Sequence, residues 1–500
     1  MRSTILGRRL TMVAVVLLIL AMPACSRRTS TRTPTPTTSP TPVATSTSTA
    51  TPTAAGSPTS TSPAPTAGTP PATIKAPAPA WTRQFGSPAW DRGNTVAVDR
   101  EGNIIVGGAT QGALPGHTLG GEWDAYLKKF SPTGTEMWSI QFTNSVSVGV
   151  LTLAVDGASN ILAAGHVVGS IPGQTPAGGD DAYARKYTPE GKELWTREFG
   201  SPSAEWGFAV AADPSGNVIV VGGTEGEMPG QKSAGNEDAY VRKLSPDGAE
   251  LWTSQFGSAN NIDRATAVAT DGSGNIIVAG RSQGAPRVDE TSGVPIDDVE
   301  NPDAGQGEAL PGQIAPGASE AFVRKYTSDG VELWTVRFSS TLLTEAAGVA
   351  VDGTGNIIVV GHTVGALPGQ TRVGSDDAFV KKLTPSGADL WTRQFGTPIY
   401  SGAMSVGVDA SGNIVVAGYL LGVLPGQTRA GLDDAFVRKL SPEGDEIWTT
   451  QFGSPGRDAA TDVAVDMAGN IAVVGEAYGI LPGQNYAGTG DTFVLRLNQP

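Results

Sequence analysis

Tryptophan returns in this chain at a near-constant interval: Trp81, Trp138, Trp195, Trp252, Trp334, Trp391 and Trp448 stand 57, 57, 57, 82, 57 and 57 residues apart. Each sits in a copy of one unit, clearest in DDAFVKKLTPSGADLWTRQFG (376 to 396) and VAVDGTGNIIVVGHT (349 to 363). A unit of that length cannot bury its own apolar face, so its copies must stack on one another.

Within a copy the apolar residues alternate with period two, and turn residues divide it into four strands. In the second full copy these are expected at 152 to 156, 160 to 165, 181 to 187 and 193 to 199. Asp-x-x-x-Asn joins the first two strands, as from Asp352 to Asn356, and Ser/Thr-Pro-x-Gly joins the last two, as from Ser441 to Gly444. Both are tight hairpin turns. The segment from Trp81 to Gly86 is a fourth strand without a third before it, and the last copy stops after its third strand, DTFVLRLNQP (491 to 500). Pairing the two halves removes two open edges. The expected fold is therefore all-β: a seven-bladed β-propeller of four-stranded blades over 81 to 500, closed by an N-terminal strand. The seven periodic Trp are expected between blades. Trp90, Trp123 and Trp206 fall outside the period and are expected at exposed contacts.

The segments DAFVRKLSPEGDEIWTTQFG (434 to 453) and VAVDMAGNIAVVG (463 to 475) resemble the bacterial SBBP family of β-propeller repeats. The Asp-x-x-Gly-Asn turn is also similar to that of NHL propellers. The resemblance covers all seven copies and implies an extracytoplasmic propeller; it brings no established catalytic residues. LTPSGADLW (383 to 391) is also similar to the blade motif of the lipoprotein propeller in outer-membrane assembly machinery.

The first 80 residues differ in kind. Residues 1 to 24 read as an export signal, with Arg2, Arg8 and Arg9 ahead of an apolar run from Leu10 to Met22. Met22-Pro23-Ala24-Cys25 resembles the bacterial lipobox, which implies lipidation at Cys25, the only cysteine in the chain. An ordinary secretory signal is the plainer alternative. From residue 25 to 80 the chain is nearly all Ser, Thr, Pro and Ala, a composition expected to stay a disordered tether. These 80 residues carry seven basic groups and no acid, so the net charge of −14 becomes −21 for residues 81 to 500. A body of that sign repels phosphate backbones, and nucleic acid is not an expected partner.

Loops between strands two and three, with Gly-x-Leu-Pro-Gly-Gln, share one face with the connections between copies. Binding groups favour such loops on a rigid scaffold. An acid opens strand three in every copy (Asp124, Asp181, Asp238, Asp377, Asp434, Asp491, with Glu320 in the fourth) and is expected to brace its loop. One position varies instead. After the Gly that ends strand two come Ala109, His166, Gly223, Arg281, His362, Tyr419 and Glu476. His166, Arg281, His362, Tyr419 and Glu476 are the candidate ligand-binding set, with a solvated rim as the bland alternative. An acidic insertion from Pro286 to Ala309 brings Asp297, Asp298, Glu300 and Asp303 together as a candidate calcium site, although the full EF-hand register is missing.

The expectation is thus a monomeric, lipid-anchored propeller at the bacterial cell surface that binds a protein or polysaccharide partner. Its only contact with the membrane would be the lipid. An extracytoplasmic lyase or glycosidase using residues such as His166, Tyr419 and Glu476 is the second reading, and an envelope-assembly scaffold the third. No Ser-His-Asp order or phosphate loop argues for catalysis.

Overall fold

A computed structural model describes residues 75–144, 146–259, 261–284 and 318–499. The described residues all fall within one compact unit, Pro71–Pro500. The signal segment, Cys25, the tether as far as residue 74 and the insertion with Asp297, Asp298, Glu300 and Asp303 lie outside the described residues.

Alternation and turn chemistry produce 28 strands and no helix among the described residues. In one unit Glu205–Ala212, Val218–Thr224, Asp238–Leu244 and Glu250–Phe256 pair antiparallel in chain order. The Asp213 carboxylate holds the first turn by accepting bonds from the backbone N–H of Ser215 and Asn217 and from Asn217 Nδ2. Gly248 closes the second hairpin at φ 84°, a left-handed conformation open to glycine at little cost. In the preceding unit the first strand runs Ser147–Val155, starting earlier than residue 152. A register shift between Val150 and Thr152 interrupts the alternation there, which hides the upstream half of the strand from a period-two reading.

Five sheets have four strands each. In one of them Pro79–Phe85, the first described strand, pairs with Asp491–Leu497, the last, through partners such as Trp81↔Arg496 and Phe85↔Thr492. The expected closing strand is therefore in place. A sixth sheet has eight strands, two four-strand runs joined by the single parallel pair Ser319↔Leu343. Single parallel bridges such as Asp180↔Ala204 and Asp376↔Tyr400 join successive units elsewhere. First strands lie against one another from unit to unit, and the series returns from Asp458–Val465 to Asp91–Val98.

Because a neighbour covers each face of a sheet, the two middle strands are buried along their length, as in Val218–Thr224 and Asp238–Leu244. The core lies between units: Ile105 and Leu127 of one pack with Ile161, Ala163 and Tyr183 of the next. A fully buried ring such as Phe379 contributes about 1.5–3 kcal/mol by leaving water. The periodic Trp also join units. Trp195 Nε1 donates to Pro246 O of the next unit at 3.0 Å, and its indole lies beneath Gly248, where a Cβ would stand 2.9 Å from the ring.

Every unit also buries an ion pair that sequence reasoning did not single out. Lys243 Nζ lies 2.8 Å from Asp213 of its own unit and donates to Ser328 O of the next at 3.0 Å. Lys129–Asp99, Lys186–Asp156, Lys325–Asp271, Lys382–Asp352, Lys439–Asp409 and Arg496–Asp466 repeat the pairing. Burial raises the pKa of the Asp213 carboxyl, but hydrogen bonds from Lys243 and Asn217 outweigh it and hold it below its ordinary range.

Candidate functional site

The long loops are held from below by side chains. Asp238 accepts from Ala234 N at 2.7 Å and from Gln255 Nε2 at 2.8 Å, while Gln255 Oε1 accepts from Met228 N. Asp377 does the same with Val373 N, Gly374 N and Gln394, and Asp124, Asp434 and Asp491 follow the pattern. These acids brace their loops. Glu320 in the fourth copy departs from it and faces Arg337 at 3.4 Å.

The variable position sits directly beside the first strands. Pairing sets His166 against Gly149, Arg281 against Arg264, His362 against Glu345, Tyr419 against Gly402 and Glu476 against Ala459. These side chains do not form a solvated rim. His166, Arg281, Tyr419 and Glu476 are buried and His362 is half-buried. Arg281 forms an ion pair with Glu345 of the next unit, and His362 Nε2 lies 3.9 Å from Glu345 and 4.0 Å from Asp376. Burial raises the Glu345 pKa, and the charges of Arg281 and His362 overcome this to lower it.

The remaining candidates have separate surroundings. The Tyr419 ring packs edge-on against Tyr400, whose hydroxyl donates to Asp433 at 2.6 Å. Burial raises the Tyr419 pKa well above its ordinary value, and the charge of Asp376 adds to this. Glu476 accepts from the Tyr478 hydroxyl at 2.9 Å; burial raises its pKa against the opposing charge of Arg92. Burial alone lowers the His166 pKa to about 4, and its Nδ1 has no hydrogen-bond partner. The structure thus brings Arg281 and His362 together through Glu345, and surrounds His166, Tyr419 and Glu476 with different neighbours.

Sequence reasoning missed the first-strand partners in this belt. Arg92 lies over both Trp90 and Trp123, 4.5 and 4.9 Å from the ring centroids. Trp123 is buried, and Trp90 and Trp206 are half-buried, so the three aperiodic Trp serve as internal packing as well as surface. The available signal was a second variable column, Arg92, Gly149, Trp206, Arg264, Glu345, Gly402 and Ala459, facing the first across the strand pair. Among the described residues no group of three or more His, Cys, Asp or Glu side chains is placed to hold a metal ion. Two cavities open on the opposite, tight-turn face: about 480 Å³ beside Trp391 and Pro442, and about 250 Å³ beside Asp409 and Met467.

Strand order, inter-unit core and closing strand together define a β-propeller-repeat protein. Residues 80–115 and 251–286 match the SBBP family, described as beta-propeller repeat, and the chain carries repeats of that family. It is similar to an uncharacterised WD repeat-containing protein of Acanthamoeba polyphaga mimivirus, 28% identical over 244 residues, 43% of this chain and 17% of that protein. It is also similar to the regulatory protein FlaEY of Caulobacter vibrioides, 25% identical over 430 residues, 77% of this chain and 43% of that protein. The chain spans less than half the length of each of these relatives. Among solved structures, the Neurospora crassa Pan2 WD40 domain aligns at 9% identity over 85% of this chain and 98% of its own, with TM-score 0.45. Sqt1 from Chaetomium thermophilum aligns at 10% over 86% and 100%, with TM-score 0.43.

Proposed function

We propose that the 28 strands form a seven-bladed propeller, and that this propeller is a monomeric interaction scaffold, anchored at the cell surface through lipid on Cys25, which binds a protein partner with its long-loop face. Each four-strand run is one blade, the eight-stranded sheet being two blades joined only at Ser319↔Leu343. The signal-like segment ahead of Cys25 supports the anchor.

The choice of face rests on loop length, since large apolar side chains such as Leu390 and Met467 are exposed toward the tight turns as well. Loops held by the Asp and Gln bonds nevertheless expose large apolar side chains: Leu119, Val373, Val423, Leu432 and Ile480, with Val146 and Ile399 on the connections between units. Exposed apolar groups on a fixed frame can dock a protein without the entropy cost of ordering a mobile loop.

A photo-crosslinking amino acid in place of Leu432 or of Met467 tests this. Leu432 lies on the long-loop face and Met467 on the tight-turn face, and both are exposed. In intact cells, position 432 is expected to give one discrete protein adduct and position 467 none. Equal labelling from the two positions would overturn the assignment of the face.

A further inference from the structure

Arg92 is a cation that the chain leaves unanswered. Three other arginines of the belt each meet an acid: Arg264 is held at 2.6 and 2.8 Å by the two oxygens of Glu237, Arg281 pairs with Glu345, and Arg457 lies 3.6 Å from Asp433. Among the described residues no acid forms an ion pair with Arg92, and nothing accepts a hydrogen bond from its side chain. Its contacts are the rings of Trp90 and Trp123, whose centroids lie 5.9 Å apart. Nε is covered without a partner, whereas the two terminal nitrogens, equally without partners, reach the surface. They do so at the long-loop end of the strand pair, where Arg92 stands opposite Ala109.

The repeat shows why no acid arrives. Glu237 bridges Ile262, two residues before Arg264, and Gly490 bridges Trp90, two residues before Arg92. Gly490 therefore stands where Glu237 stands, and brings no carboxylate. Glu476, in the same unit as Gly490, senses the charge of Arg92, yet its Oε2 accepts the Tyr478 hydroxyl at 2.9 Å and it forms no ion pair with the arginine. Room is kept beside the guanidinium as well. Ala109 meets Gly149 of the next unit, where a Cβ would stand 3.5 Å from that of Ala109, so neither position extends a long side chain towards Arg92.

We propose that Arg92, with Trp90 and Trp123, receives one carboxylate of the protein partner, an Asp or Glu side chain, in the place that Glu237 fills for Arg264. This rests on the interaction-scaffold reading and names what the partner presents. A guanidinium can give a carboxylate two parallel N–H bonds, and indoles that exclude water strengthen them. The acid is an isolated one. Residues 81 to 500 carry a net charge of −21, which repels a polymer charged on every residue far more than a single acid among neutral neighbours.

Calorimetric titration of the full chain at about 150 mM salt tests the site with two blocked pentapeptides, one carrying a glutamate between two phenylalanines and the other a glutamine there. The wild type is expected to bind the glutamate peptide about tenfold more tightly. Arg92→Gln should abolish that preference, and Arg100→Gln, at an exposed tight-turn position, should leave it. On the wild type, where no substitution can disturb folding, the glutamate peptide should also slow phenylglyoxal modification of Arg92, read by mass spectrometry, and leave that of Arg100 unchanged. A wild type without the preference, a preference that survives Arg92→Gln, or equal protection of Arg92 by the two peptides would overturn the proposal. Tighter binding of an oligogalacturonate than of the glutamate peptide would overturn it in favour of an acidic polysaccharide. Any of these with the Leu432 adduct intact refutes the site alone; loss of that adduct with the preference intact refutes the scaffold reading.

Discussion

Two glycines with nearly the same backbone allow the contact between units to be measured by difference. Gly248 has φ 84° with Trp195 beneath it, and Gly230 has φ 77° with nothing within 4 Å of its Cβ direction. Alanine at either position meets the left-handed penalty of about 1–2 kcal/mol. Both substitutions also remove similar freedom from the unfolded chain, so that contribution cancels in the comparison. Only Gly248→Ala pushes a methyl group to 2.9 Å from Trp195 Cδ2 and 3.1 Å from Cε2 and Cε3. Displacing the indole costs about 1–3 kcal/mol as overpacking, and losing the bond from Trp195 Nε1 to Pro246 O adds about 1 kcal/mol. Gly248→Ala is therefore expected to destabilise by about 2–4 kcal/mol more than Gly230→Ala. Urea unfolding followed by circular dichroism reads the difference, and repeating it in a Trp195→Ala background should abolish most of it. Equal losses from the two glycine substitutions, or a difference that survives Trp195→Ala, would refute the joint between units.

Three other perturbations follow from the same frame. Burial raises the Asp458 pKa to about 7, so its contribution to stability is fully present below about pH 4 and lost as pH rises through about 7. The melting temperature of the wild type minus that of Asp458→Asn should accordingly fall between pH 5 and pH 8, and parallel curves would exclude the effect. Lys243→Met leaves Asp213 buried without its cation and should cost about 3 kcal/mol in urea unfolding, part of which Asp213→Asn should recover in the double variant. Deleting residues 75 to 86 removes the strand paired with Asp491–Leu497 and exposes its edge, which should lower the melting temperature and produce aggregates on size-exclusion chromatography.

The repeat made the frame readable. Strand spacing, turn type and the loop-bracing acids recur in nearly every copy, so each copy checks the others, and the incomplete first and last copies reveal the closing strand. The belt around the first strands was harder. Variation at His166, Arg281, His362, Tyr419 and Glu476 suggested freedom from packing, yet these positions are covered. Arg281 is neutralised by Glu345 from the next unit, so a change in one column is answered in another, and neither column alone shows the match. The bulge between Val150 and Thr152 hid half a strand for a related reason: an extra residue breaks the alternation that reveals a buried face.

The closing strand also fixes an order of events during synthesis. Gln84 bonds to Gln484, 400 positions away, and the whole Pro79–Phe85 segment finds its partner only in Asp491–Leu497. At about 5–20 residues per second, the segment leaves the ribosome roughly 20–80 s before that partner exists. Units built from contiguous sequence can form and stack meanwhile. The junction between the first and last described strands comes last, so a nascent chain halted before residue 491 keeps two unpaired strand edges that proteases and chaperones can recognise.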